Sequence, residues 1–155
     1  MELIKELPAL GRDLGPGLIL IGLTSLAAIL VGCLFEEWET LPWMATATVS
    51  LCGIGLLLRF LPKTSTVPRT RTSIAATALV WVVVGLCGSL PFLFTGMPFI
   101  DAAFESMSAW TGTGFSIAED IEAWPKTLLF WRSFMQWVGG LGIVAFTLTV
   151  ATRSG

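Results

Sequence analysis

Apolar positions in this chain gather into four long runs with no alternating or heptad pattern. Residues 14–35, 40–58, 72–100 and 133–152 contain no Asp, Glu, Lys or Arg. A helix rises about 1.5 Å per residue, so ~20 apolar residues cross the hydrocarbon core of a bilayer. The runs predict four spans, Leu14–Phe35, Leu41–Leu58, Ser73–Phe94 and Leu128–Ala151. The third run is too long for one crossing, and Pro91, Gly96 and Pro98 break it. Its tail from Met97 opens a shorter helix, about Ile100–Trp110, with Pro98 suited to the start and Asp101 to the N-cap or first turn. The first run is longer than a signal-peptide core and is followed by acids, which argues against cleavage.

After the short helix the pattern fails. Thr111, Gly112, Thr113, Gly114, Phe115 and Ser116 do not continue a helix, because glycine favours backbone angles that other residues avoid. Irregular backbone at membrane depth survives only where protein buries it or where it lines a wet cavity. Rings of backbone carbonyls in such loops replace the hydration shell of a cation. The carbonyls of Thr111, Gly112, Thr113 and Gly114 are therefore candidate ion ligands, at the negative end of the short helix. Gly114 is expected in a left-handed or otherwise glycine-only conformation that turns its carbonyl to the axis. Glu105 is the ionisable group at membrane depth; its expected role is to bond loop backbone from behind, with Phe115 and Ser116 completing the support, and direct contact with the ion is the alternative. Two plainer readings stand beside this one. The loop is also compatible with a glycine-rich turn between helices, and Glu119, Asp120 and Glu122 with a solvated loop instead of an acidic, cation-gathering mouth. Phosphate binding fits poorly, since no strand precedes the loop and no lysine follows it.

Composition agrees with membrane insertion. Charged residues make up 13% of the chain and hydrophobic residues 54%, against about a quarter charged in soluble domains. A net charge of −2 points away from a nucleic-acid partner. Cys33, Cys52 and Cys87 lie in apolar runs without metal-ligand spacing and read as small buried hydrophobes. With no histidine and no base near Ser116, an enzyme is not indicated, and no cofactor is implied. Arg59, Lys63, Arg69 and Arg71 follow the second span, whereas Glu36, Glu37 and Glu39 follow the first. Positive loops stay inside, so both termini are expected in the cytoplasm and the loop 111–116 dips in from outside. Trp38, Trp43, Trp124 and Trp131 then fall near the outer interface, where indoles are favoured.

The fold class expected is an all-α integral membrane protein, with four transmembrane helices, one re-entrant pore helix and a filter loop. Residues 1–62 form an N-terminal transmembrane hairpin, 63–72 a basic linker, and 73–155 a helix–pore loop–helix repeat with its filter at 111–116. In the hairpin, Gly17, Gly22, Gly32, Gly53 and Gly55 are expected to permit close helix packing.

Two segments, Ala103–Ser116 (AFESMSAWTGTGFS) and Leu128–Ile143 (LLFWRSFMQWVGGLGI), together resemble the first pore repeat of the Trk/Ktr/HKT superfamily of potassium transporters. The likeness extends over the whole chain, because Trk-type members precede that repeat with an extra helical pair. It implies potassium transport across a plasma membrane, with the critical filter glycine at Gly114. Sodium-favouring members often have serine there, so glycine is the potassium-permissive form. Where this chain has Gly112, members usually have threonine. The family's Trp-Arg-Ser segment falls on Trp131, Arg132 and Ser133, and its Gly-Gly-x-Gly run on Gly139, Gly140 and Gly142. From side-chain chemistry, Arg132 is expected to snorkel to the outer boundary, and the three glycines to let the last span pack tightly.

Family pores have four such repeats, and this chain carries one. Two arrangements follow, a piece of a longer transporter or a subunit of a homotetramer. Either way it supplies one quarter of a filter, and its partners are lipid and the remaining repeats. By resemblance, a cytoplasmic nucleotide-binding ring is a further regulatory partner. The alternatives are a sodium-permeable or non-selective cation channel subunit and a non-conducting assembly subunit. No acid–base chain suggests proton-coupled transport.

Overall fold

A computed structural model describes residues 2–61 and 70–153, with side chains for residues 11, 12, 14–61, 72, 74–145, 147 and 148. All regular structure among them is helical: α1 (Glu2–Thr24), α2 (Leu26–Leu34), α3 (Leu41–Arg59), α4 (Thr70–Ser89), α5 (Phe99–Trp110) and α6 (Lys126–Arg153). Short 3₁₀ turns at Trp38–Thr40 and Leu90–Thr95 precede α3 and follow α4. Four stretches are long and apolar enough to cross a membrane, Leu14–Leu34, Trp38–Arg59, Ile74–Thr95 and Lys126–Ala145.

The first predicted span is broken at Ser25. Its amide reaches back to the Gly22 carbonyl at 3.2 Å and its hydroxyl takes the same carbonyl at 2.6 Å. A hydroxyl that competes for helix carbonyls in this way favours a bend, and Ser25 also pairs with Thr48 of α3. Helix α4 starts at Thr70, inside the stretch 63–72 assigned to the linker; residues 63–69 of that stretch lie outside the described residues.

Helices α1 and α3 cross at a glycine pair. A Cβ on Gly15 would stand 2.6 Å from the Gly55 carbonyl oxygen, and one on Gly55 2.7 Å from that of Gly15. Only backbone fits there. Gly17 and Gly53 do not share this role, since a Cβ on either would meet open space.

A single buried cluster joins the hairpin to the rest, running from Leu18, Met44 and Leu51 to Phe92, Trp110, Leu128, Trp131 and Met135. Two of the tryptophans expected near the outer interface belong to this cluster and are packed inside the fold. Trp131 is fully buried, donates its indole N–H to the Gly88 carbonyl at 3.0 Å, and meets Trp110 edge-on. Trp124 packs on Phe92 with ring centroids 5.4 Å apart. Trp38 and Trp43 are exposed. A Trp–carbonyl bond inside the fold satisfies the indole without an interface.

A carboxylate fastens the two parts. Glu37 Oε1 accepts the Lys126 amide at 2.7 Å, while Oε2 accepts the Thr127 amide at 2.8 Å and the Thr127 hydroxyl at 2.6 Å. These amides open α6, where unpaired N–H groups and the helix dipole favour an anion. Burial pushes the Glu37 carboxyl up, but the Thr127 hydroxyl, the two amides and the Lys126 charge outweigh it, leaving its pKa below the ordinary 4.5. A depressed carboxyl stabilises the fold above its unfolded pKa, and that contribution is lost as pH falls through the lowered folded value. Glu37→Gln is expected to cost about 0.5–2 kcal/mol near neutral pH, the range for losing a cap. It should also flatten the acid limb of the unfolding midpoint measured in detergent against pH. An acid limb identical to the parent's would contradict the assignment.

Candidate functional site

Helix α5 is short and sharply bounded at both ends. Gly96 adopts φ 81 and ends the preceding turn, Pro98 launches the helix, and Asp101 sits in its first turn. Its carboxylate lies near the positive end of the helix dipole, where a negative charge is favoured. Twelve residues give a rod of roughly 18 Å, too short to cross. Ala102, Glu105, Ser106 and Ala109 form its buried stripe, and Ile100 and Phe104 face outward.

Two left-handed glycines then turn the chain. Gly112 has φ 72 and donates to the Ala109 carbonyl at 3.0 Å; Gly114 has φ 77 and donates to the Ser108 carbonyl at 3.2 Å. The glycine-only conformation expected at Gly114 is present, and Gly112 shares it. The Thr111 hydroxyl reaches the Met107 carbonyl at 2.7 Å and lies 2.7 Å from the Thr113 hydroxyl, which in turn reaches the Ser108 carbonyl at 3.2 Å. The last carbonyls of α5 are thus engaged by the loop's own donors. Thr111, Gly112 and Thr113 are exposed.

Behind the loop lies a clamp. Glu105 is fully buried, and its Oε1 accepts the Ser116 hydroxyl and, at 2.6 Å, the Ile117 amide. Its Oε2 accepts Arg132 Nε at 3.0 Å. Arg132 Nη2 donates onward to the carbonyls of Gly114 at 3.0 Å and Phe115 at 3.1 Å. The expected snorkelling of Arg132 is therefore corrected. An unpaired buried carboxylate is costly, and the planar guanidinium can answer it while bonding two carbonyls. The same contact bears on Gly114, whose carbonyl, expected to face an axis, accepts from Arg132. Phe115 contributes through its carbonyl, which also takes the Ser108 hydroxyl at 2.6 Å, while its ring is exposed.

Ser108 is the residue that sequence reasoning missed. Its carbonyl and hydroxyl both hold the loop, and its one signal was a polar side chain one turn before the glycines. The three glycines of α6 divide. A Cβ on Gly139 would lie 1.9 Å from the Trp110 carbonyl oxygen, one on Gly142 would touch the Trp81 ring at 3.3 Å, and one on Gly140 would meet nothing. Only Gly139 serves the tight packing in full, and Gly140 does not serve it. Beyond the loop, Asp120 accepts the amides of Glu122 and Ala123, an Asx turn, and Glu119 and Glu122 are exposed. Among the described residues no group of His, Cys, Asp or Glu could hold a metal ion.

A half-length helix and a braced loop, set between two spans and backed by a helical hairpin, define an all-helical membrane protein. The family model for TrkH, a cation transport protein, matches residues 43–155, and the chain belongs to that family. It is similar to an uncharacterized cation transporter, MJ1485, of Methanocaldococcus jannaschii, with 33% identity over 97% of this chain and 32% of the relative. It is also similar to the Trk system potassium uptake protein TrkH of Halomonas elongata, with 36% identity over 93% of this chain and 30% of the relative. The crystal structure of the potassium transporter TrkH from Vibrio parahaemolyticus superposes with a TM-score of 0.83 at 32% identity, covering 92% of this chain and 31% of that one. The chain spans about a third of the length of the relatives it matches.

Proposed function

We propose that this chain supplies one quarter of a potassium-selective filter in a plasma-membrane transporter, with both termini cytoplasmic. The observation that carries the reading is the loop 111–116, turned by two left-handed glycines and braced from behind by Glu105 and Arg132. The exposed carbonyl-bearing residues Thr111, Gly112 and Thr113 are the principal ion ligands. Gly114 shares its carbonyl with Arg132, so its contribution is its second lone pair and the turn that aims the others. Glu105, Phe115 and Ser116 support the loop. The other three quarters come from further repeats, in the same longer chain or in further copies, and a nucleotide-binding ring on the cytoplasmic side regulates the assembly. The potassium uptake named for TrkH relatives supports the choice of ion.

The test is Gly114→Ser in a complete pore. A side chain at φ 77 is strained, by about 1–2 kcal/mol, and its Cβ would stand 3.0 Å from Gln136 Nε2. The potassium-to-sodium permeability ratio is expected to fall. An unchanged ratio in a normally folded variant would sink the assignment.

A further inference from the structure

A cavity of about 210 Å³ lies behind the loop-bearing helix, between α1, α4, α5 and α6. Val84, Trp110 and Gly139 form its buried floor, and Ile21, Trp81 and Gly142 are half-buried at its rim. No polar atom contributes to its wall. Ile21, Trp81, Val84, Gly139 and Gly142 all lie within candidate spans, which puts the cavity at hydrocarbon depth.

We propose that this cavity is a binding site for one hydrocarbon chain, the acyl tail of a membrane lipid. Water is a poor occupant, because it needs two to four polar partners, and a smaller apolar cavity of ~150 Å³ stays dry and takes up benzene. Left empty, the lining forfeits dispersion contacts. The medium at this depth is itself hydrocarbon, and the half-buried rim gives it an entrance. An acyl tail seated there touches Trp110, the residue that leads into the loop. The proposal stands independently of which ion the loop conducts.

The test uses the full-length protein in phosphatidylcholine vesicles doped with phosphatidylcholine that carries a diazirine at mid-acyl chain. After photolysis, labelled residues are mapped by mass spectrometry. Val84 and Trp110 are each only 1% exposed, so label reaches them only from inside the cavity. Label on either supports the site, and label confined to outward-facing Leu79, Val82 and Leu141 overturns it. Val84→Phe from the floor and Gly142→Leu from the rim each fill the space. Both are expected to remove label from Trp110 while leaving label at Leu79 and Val82 unchanged. Undiminished label at Trp110 in both variants would also overturn the proposal. If either variant misfolds, its control labels shift, and the parent map decides alone.

Discussion

Glu105→Ala is expected to disable ion uptake in the full-length protein and to lower its unfolding midpoint more than any other substitution in the loop or its supports. Removal of Glu105 strands three donors at once: the Ser116 hydroxyl, the Ile117 amide and Arg132 Nε. The guanidinium is the worst case, because its side chain is only 13% exposed. Breaking one partner of a buried ion pair costs about 3–5 kcal/mol, mostly through the charge left behind. The loop then loses its rear anchor, and Arg132 has nothing to hold it against the Gly114 and Phe115 carbonyls. Arg132→Lys should behave differently. It keeps a charge for Glu105 but replaces the planar fork with a point donor, so selectivity should suffer more than stability. A double-mutant cycle distinguishes pairing from independent roles. Glu105→Leu combined with Arg132→Met should unfold closer to the parent than Glu105→Leu alone, because residues in one network are not additive. Strictly additive losses would show that the two side chains support the loop separately.

The spans, the short helix and the loop were legible because each follows from local rules. Charge-free length gives a span, Pro98 and Asp101 give a helix start, and paired glycines give a turn. What escaped was pairing across the sequence. Arg132 reads alone as a boundary residue, and only its 3.0 Å contact with Glu105 makes it part of the loop. Glu37 reads as one of three acids in a short loop, yet it is the one that caps α6, far along the chain. Trp124 and Trp131 carry the composition of an interface and the environment of a core. The bend at Ser25 was hidden for the same reason, since its partner Thr48 sits on another helix.

The three glycines of α6 give the sharpest contrast, because sequence treats them alike. Gly139→Ala is expected to cost roughly 1–3 kcal/mol or more, the range for overpacking. Its Cβ would stand 1.9 Å from the Trp110 oxygen, 2.7 Å from the carbonyl carbon and 2.9 Å from the Cα. These are backbone atoms, and Trp110 is itself packed against Trp131, so relief requires α5 and α6 to separate. That displacement passes to Thr111, the next residue, and should lower ion uptake together with stability. Gly142→Ala meets the edge of the Trp81 ring at 3.3 Å, where a side chain can yield, and should cost little. Gly140→Ala meets nothing, and because alanine favours a helix interior by up to ~1 kcal/mol over glycine, it should leave stability unchanged or raised. The expected order of unfolding midpoints in detergent is Gly140→Ala at or above the parent, then Gly142→Ala, then Gly139→Ala. Equal midpoints for the variants at 139 and 140 would mean that α5 does not rest on α6 at the Trp110 carbonyl, and the loop would need another support.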